Sequence, residues 1–177
     1  MKKVKKIGVV LGILILLVCL VSLLFPTNVE VSRSIAINAS VENVFDNVNT
    51  IEHWKKWGGP WHEEGMDYTT VIKRTEGASS GVGSRLIYNQ GKGEGSVEII
   101  ESNINQKIKT LISFEDGGSA NGIWLFDQNN NKTNVTWTIY IDLGYNPLKR
   151  IMGNLMMESK VGPLFEIGLS NLKKVSE

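Results

Sequence analysis

The hydrophobic pattern changes character twice along the 177 residues. From Ile7 to Phe25 it is an unbroken run without a charge, IGVVLGILILLVCLVSLLF. From Val29 it alternates: Val29, Val31, Ile35 and Ile37 are interleaved with Glu30, Ser32, Ser34 and Asn38, which predicts a half-buried strand. Ser40 then offers an N-cap for a helix over 41–49, with Val41, Val44, Phe45 and Val48 on one face. A second short helix is expected over 51–57. From Tyr68 to Leu143 the pattern is that of strands separated by turns. The turn signals fall at 77–81, 91–93, 103–105, 116–118 and 129–131, all rich in Gly, Asn, Asp or Ser. Six strand-like runs lie between them, at 69–74, 84–89, 95–101, 107–114, 121–127 and 133–143.

The last stretch is helical in period. Leu148, Ile151, Met152, Leu155 and Met156 are spaced i, i+3, i+4, i+7, i+8, and Phe165, Gly168, Leu169 and Leu172 repeat the spacing. Gly162-Pro163 separates the two halves and predicts a break or kink. The order is therefore strand, two short helices, six strands and a long apolar-faced helix. That helix must bury its face against the sheet, which makes the class α+β.

The uncharged run at 7–25 is just long enough, at about 1.5 Å per residue, to cross a hydrocarbon core of about 30 Å. Lys2, Lys3, Lys5 and Lys6 precede it, and no acidic residue occurs before Glu30. By the positive-inside rule the tip at 1–6 stays in the cytoplasm and everything after the span is exported. The run ends Ser22-Leu23-Leu24-Phe25-Pro26, without the small-residue pattern of a cleavage site, so an uncleaved signal anchor is favoured over a cleaved leader. Bulky Val18 before Cys19 argues against lipidation, and Cys19 reads as a small apolar residue of the span. Residues 26–28 form a short linker, and 29–177 form the exported domain at the membrane surface.

Charge narrows the partners. Taking the four N-terminal lysines from the 19 basic residues leaves 15 against 18 acidic ones. A folded part without basic excess is not expected to bind nucleic acid. One cysteine allows no internal disulfide, Cys-rich zinc site or CxxC pair. Gly77-Ala-Ser79-Ser-Gly81 has the letters of a nucleophile elbow, but a strand follows it, and His53 and His62 both lie upstream. His62-Glu63-Glu64 has Met66 where a zincin needs its second histidine. Neither a catalytic constellation nor a metal or cofactor site is expected. Three glycosylation sequons, at Asn38, Asn131 and Asn134, matter only in a eukaryotic secretory pathway.

Several local patterns and their order resemble the START-like (SRPBCC) superfamily, closest to its polyketide cyclase/dehydrase and lipid-transport branch. They are residues 32–37 with 41–45, Trp54-Lys-Lys-Trp57-Gly-Gly-Pro60-Trp61, Gly81-Val-Gly83-Ser84 and Gly93-Glu-Gly95-Ser-Val-Glu-Ile. Further on come Thr133-Asn-Val-Thr136-Trp137 and Phe165-Glu166-Ile-Gly168-Leu169-Ser-Asn-Leu172-Lys173. The resemblance implies a helix-grip fold: a curved antiparallel sheet of about seven strands around the C-terminal helix, with an apolar cavity between them. It implies a small hydrophobic ligand, a lipid or polyketide-like molecule, and supplies no catalytic motif.

Within that frame, Trp54, Trp57 and Trp61 either cap the core or line a cavity mouth. Met152, Met156 and Met157 on the last helix either offer an adaptable ligand surface or simply fill the core, and Phe165 is a further cavity candidate there. Tyr88, Glu98, Trp124 and Trp137 are candidates on the strands, where an inward Tyr or Glu would orient a ligand. The expected function is ligand binding without chemistry. Two alternatives stay open: a cyclase- or dehydrase-type enzyme using a cavity acid or base, and an envelope interaction domain with a collapsed cavity.

Overall fold

The computed structural model describes residues 2–59, 68–91 and 93–177. The elements follow the order α1 (Lys2–Ser22), β1 (Asn28–Ile37), α2 (Val41–Asn49), a 3-10 turn (Ile51–His53), α3 (Trp54–Trp57) and α4 (Tyr68–Val71). Then come β2 (Ile72–Gly77), β3 (Ser84–Tyr88), β4 (Gly95–Asn103), β5 (Lys107–Ser113), β6 (Ser119–Asn129), β7 (Lys132–Asp142) and α5 (Pro147–Ser176). The seven strands form one antiparallel sheet in the order β1-β7-β6-β5-β4-β3-β2. Every strand but β1 neighbours its successor, as short turns demand. The first strand closes the far side by pairing with the last.

Three rows of side chains cross the face of this sheet that α5 covers. The first runs Val29, Ile141, Ala120, Ile112, Val97 and Leu86. The second runs Val31, Ile139, Gly122, Thr110 and Ile99. The third runs Arg33, Trp137, Trp124 and Ile108. Directly opposed residues of an antiparallel pair share a face, so each row is one continuous strip of floor.

The helix α5 starts at Asn146, whose Oδ1 accepts from the backbone N–H of Leu148 and Lys149 at 3.0 and 3.1 Å, with Pro147 in the first turn. It is continuous to Ser176, with no break at Gly162-Pro163. A residue before proline avoids the helical region because its Cβ and N–H meet the proline ring. Gly162 has no Cβ, which removes much of that conflict. The far end of α5 is tied to α2: Asn43 Nδ2 donates to the Ser176 carbonyl at 2.8 Å and Asn47 Nδ2 to the Ser176 hydroxyl at 3.1 Å.

At the N-terminus the helix stops at Ser22, three residues before the uncharged run ends. Its uncharged part therefore reaches only about 24 Å at about 1.5 Å per residue, against a core of about 30 Å. Among the described residues no helix is long and apolar enough to cross a membrane. The apolar side chains of α1 are nonetheless exposed around the whole helix, from Ile7 to Leu20.

The short connection after α1 is held at several points. Arg150 Nη2 donates to the Phe25 carbonyl, Asn154 Nδ2 donates to the Pro26 carbonyl at 3.0 Å, and the Leu143 N–H donates to Thr27 at 2.7 Å. What the sequence presents as a loose linker is a clasp that fixes α1 relative to α5.

Candidate functional site

The space between sheet and α5 is bounded at one end by aromatic rings. Trp137 stacks on Phe165 of α5 with centroids 3.7 Å apart, and Trp124 stacks on Trp137 at 4.1 Å. Trp57 stands edge-on to both tryptophans, at 5.9 and 6.3 Å, and Trp54 edge-on to Trp124 at 6.1 Å. Local chemistry fixes this group. The last carbonyls of a helix lack intrahelical partners; in α2 the Val48 carbonyl accepts from Trp54 Nε1 at 2.9 Å and the Asn47 carbonyl from Trp57 Nε1 at 3.0 Å. Gly58 ends α3 with φ of +86°, where a side chain would be strained. Trp124 differs: it is fully buried, and its Nε1 has no acceptor.

All five rings are buried, so Trp54, Trp57, Trp124, Trp137 and Phe165 form a packed wall at this end. Trp61 lies outside the described residues, as does the His62-Glu63-Glu64 segment. Beyond the wall, toward the start of α5, the packing loosens. Val29, Ile141 and Ile112 of the first row are only half-buried, as are Phe114, Met157 and Val161. Phe165 lies on Trp137, and Asn154 on Pro26 just before β1, which sets Met157 and Val161 of α5 over the first two rows. This apolar floor and its helical roof form the candidate site.

Tyr88 borders the floor on β3. Its ring crosses β4 at Gly95, where any side chain would overlap it, and its hydroxyl donates to the Ser113 carbonyl at 3.2 Å. Burial, with smaller effects from Glu115 and Asp116, pushes the phenol up to about 12. Glu98 does not reach the site. It alternates with inward Val97 and Ile99, sits opposite Arg85 and Leu111, and so belongs to the other face.

The two methionines also point elsewhere. Met152 is 52% exposed and Met156 40%, on the outer side of α5, while Met157 faces the sheet. The helix turns 100° per residue, and its buried side at this level is taken by Arg150, Asn154, Met157 and Val161. Among the described residues no group of three His, Cys, Asp or Glu side chains could hold a metal ion.

Sequence reasoning raised Met157 only alongside Met152 and Met156, and it passed over Ile112, Ile141 and Val161, because apolar spacing alone does not mark which end of a sheet is loosely covered. It also passed over Arg33. The signal there was a charged residue at an inward position of an alternating strand. Its guanidinium pairs with Glu166 through Nε at 2.7 Å and with Glu158 through Nη2 at 2.6 Å.

A family model described as "Polyketide cyclase / dehydrase and lipid transport" matches residues 28–177. No curated protein matches the sequence significantly. Among solved structures, the Aha1 dimer from Colwellia psychrerythraea is similar with a TM-score of 0.55 at 19% identity, over 84% of this chain and 96% of that one. A protein of unknown function from Staphylococcus aureus gives 0.60 at 13% identity, over 84% and 93%. A Bacillus halodurans protein gives 0.59 at 13% identity, over 86% and 100%. At such identities the likeness is one of fold.

Proposed function

The chain belongs to the polyketide cyclase/dehydrase and lipid transport family, and from that premise we propose a membrane-anchored domain that holds a small hydrophobic ligand without transforming it. The observation that carries this reading is the half-buried apolar strip formed by Val29, Ile141 and Ile112 beneath Met157 and Val161. Such a strip gains about 25 cal/mol for each Å2 of apolar surface removed from water. The orphan Nε1 of Trp124 in the end wall would welcome an acceptor on the ligand.

Chemistry is poorly served by these groups. The ionisable groups at the floor are Arg33, held by Glu158 and Glu166, and Tyr88, whose phenol near 12 is far from a general base at neutral pH. One observation favours a collapsed interaction domain instead: the stack of Trp124, Trp137 and Phe165 already fills its end of the space.

Anchoring is proposed from α1. A helix apolar on all sides belongs in a core or a membrane, and α1 has no core around it. Leu23, Leu24 and Phe25 extend the apolar run beyond the helix, and a short span is met by local thinning of the bilayer. The four lysines put the N-terminus in the cytoplasm and the domain outside.

The test for the ligand is mass spectrometry of molecules extracted from the full chain purified in a non-ionic detergent. A hydrophobic compound should be retained stoichiometrically, lost in Ile141→Glu and kept in Glu98→Gln. Nothing retained by the wild type would leave the collapsed domain. The test for the anchor is a C-terminal reporter active only outside the cytoplasm, on a mature chain that still contains Lys2. A mature N-terminus near Pro26 would overturn it.

A further inference from the structure

The exposed side of the first half of α5 is apolar. Leu148, Met152, Leu155 and Met156 form one stripe at i, i+4, i+7 and i+8, and Leu148 is 64% exposed. Tyr145, in the loop before the helix, is 88% exposed. Nothing in the fold of the domain uses this stripe, since the sheet takes the opposite side of α5.

Three observations say what covers it. First, the stripe begins beside α1: a groove of about 410 Å3 is lined by Leu14, Ile15, Val18 and Cys19 on one side and Pro147 and Leu148 on the other. Asn154 then meets Pro26, so the two helices advance side by side in the same direction. The clasp of Arg150 on Phe25 holds them so. Second, the uncharged part of α1 falls about 6 Å short of a hydrocarbon core of about 30 Å, and local thinning of the bilayer there brings the lipid boundary toward the apolar surface beside the end of α1. Third, the charge is right: no acidic residue occurs from Leu143 to Met157, and Lys149 and Lys160 flank the stripe. Basic residues beside an apolar face favour an anionic lipid surface.

We infer that the tip of α5, from Tyr145 to Met156, is a second membrane element that lies in the outer boundary of the same bilayer that α1 enters. The inference rests on the anchored reading of α1. It gives the site a fixed attitude, with the loosely covered floor under Met157 and Val161 one turn from the lipid surface.

The test uses the full chain in vesicles of phosphatidylcholine and phosphatidylglycerol, with an environment-sensitive fluorophore on L14C, L148C or I104C in a Cys19→Ala background. Ile104 is an exposed control in the β4–β5 turn. Spin-labelled lipid should quench positions 14 and 148 to a similar extent and leave 104 bright. Quenching at 14 but not at 148 would overturn the placement of α5 and leave the anchor standing. No quenching at 14 would overturn both. An unquenched label at 148, together with an intermolecular disulfide formed by unlabelled L148C under copper–phenanthroline oxidation, would assign the stripe to a second copy and overturn the inference.

Discussion

The guanidinium of Arg33 occupies the space that a side chain at position 162 would take. Gly162 lies midway between Glu158 and Glu166, one helical turn from each, and Arg33 binds both. The two carboxylates raise the guanidinium pKa, Glu158 most, so the cation persists at every pH of interest. A strand cation thus docks on a helix at one of its bare positions.

Gly162→Ala should therefore destabilise by about 1–3 kcal/mol, the usual cost of overpacking, although Ala is the better helix former by about 1 kcal/mol. In an Arg33→Ala background the same change should cost less, keeping only the conflict of a Cβ at 162 with the Pro163 ring. Chemical denaturation of the four proteins gives the coupling; equal effects in both backgrounds would mean that the contact is not what excludes a methyl group.

The indoles of Trp57 and Trp124 should respond differently to loss of their N–H. Trp57→Phe strands the Asn47 carbonyl, a penalty of about 1–3 kcal/mol beyond lost packing. Trp124→Phe removes a donor that has no acceptor and should cost less. Urea midpoints order the two variants; a greater loss for Trp124→Phe would imply an unseen partner.

Tyr88 should give the protein an alkaline limit. Its folded pKa, about 12, lies above the ordinary 10.0, so the neutral phenol is the form that folding favours. That stabilisation is complete below pH 10 and is lost as pH rises through 12. Tyrosinate absorbance should lose its latest-ionising group in Tyr88→Phe, while Tyr140, also raised by burial and by Glu30, remains. An unchanged titration in the variant would place the late group elsewhere.

The clasp between α1 and α5 should govern access to residues 23–27. Arg150 is buried, and its Nη2 serves the Phe25 carbonyl. Arg150→Ala should open the connection, so that chymotrypsin cuts after Leu24, on the bond to Phe25, much faster than in the wild type. Equal cleavage rates would mean that Asn154 and Leu143 suffice.

The two halves of α5 should differ in what they contribute. Leu169→Ala, in the buried half, should cost about 2–5 kcal/mol. Leu155→Ala, on the exposed stripe, should stay within about 0.5 kcal/mol. Thermal denaturation of the full chain compares them, and a large loss for Leu155→Ala would place that side chain in the core.

The sequence by itself determined most of the elements and their order, although the run at 69–74, expected as a strand, opens as the helix α4 over Tyr68–Val71. Alternation in β1, the Gly and Asn turns between later strands and the 3.6-residue period of α5 are local signals, and each survives in the fold. It also marked the aromatic group, because three tryptophans close together are costly to expose. Tertiary structure decided which side of each element does what. Leu155, Met152 and Met156 have the same spacing as Phe165, Leu169 and Leu172, yet only the latter meet the sheet. A period records that a helix has an apolar face, and only the path of the helix across the sheet records which part of that face finds a partner. Glu98 turned outward for the complementary reason: the face of a strand is set by the register of its neighbours, which no single strand contains. α5 also runs on through Pro163, where Gly162 brings no Cβ against the proline ring and the guanidinium of Arg33, 129 positions away in the chain, fills the space left.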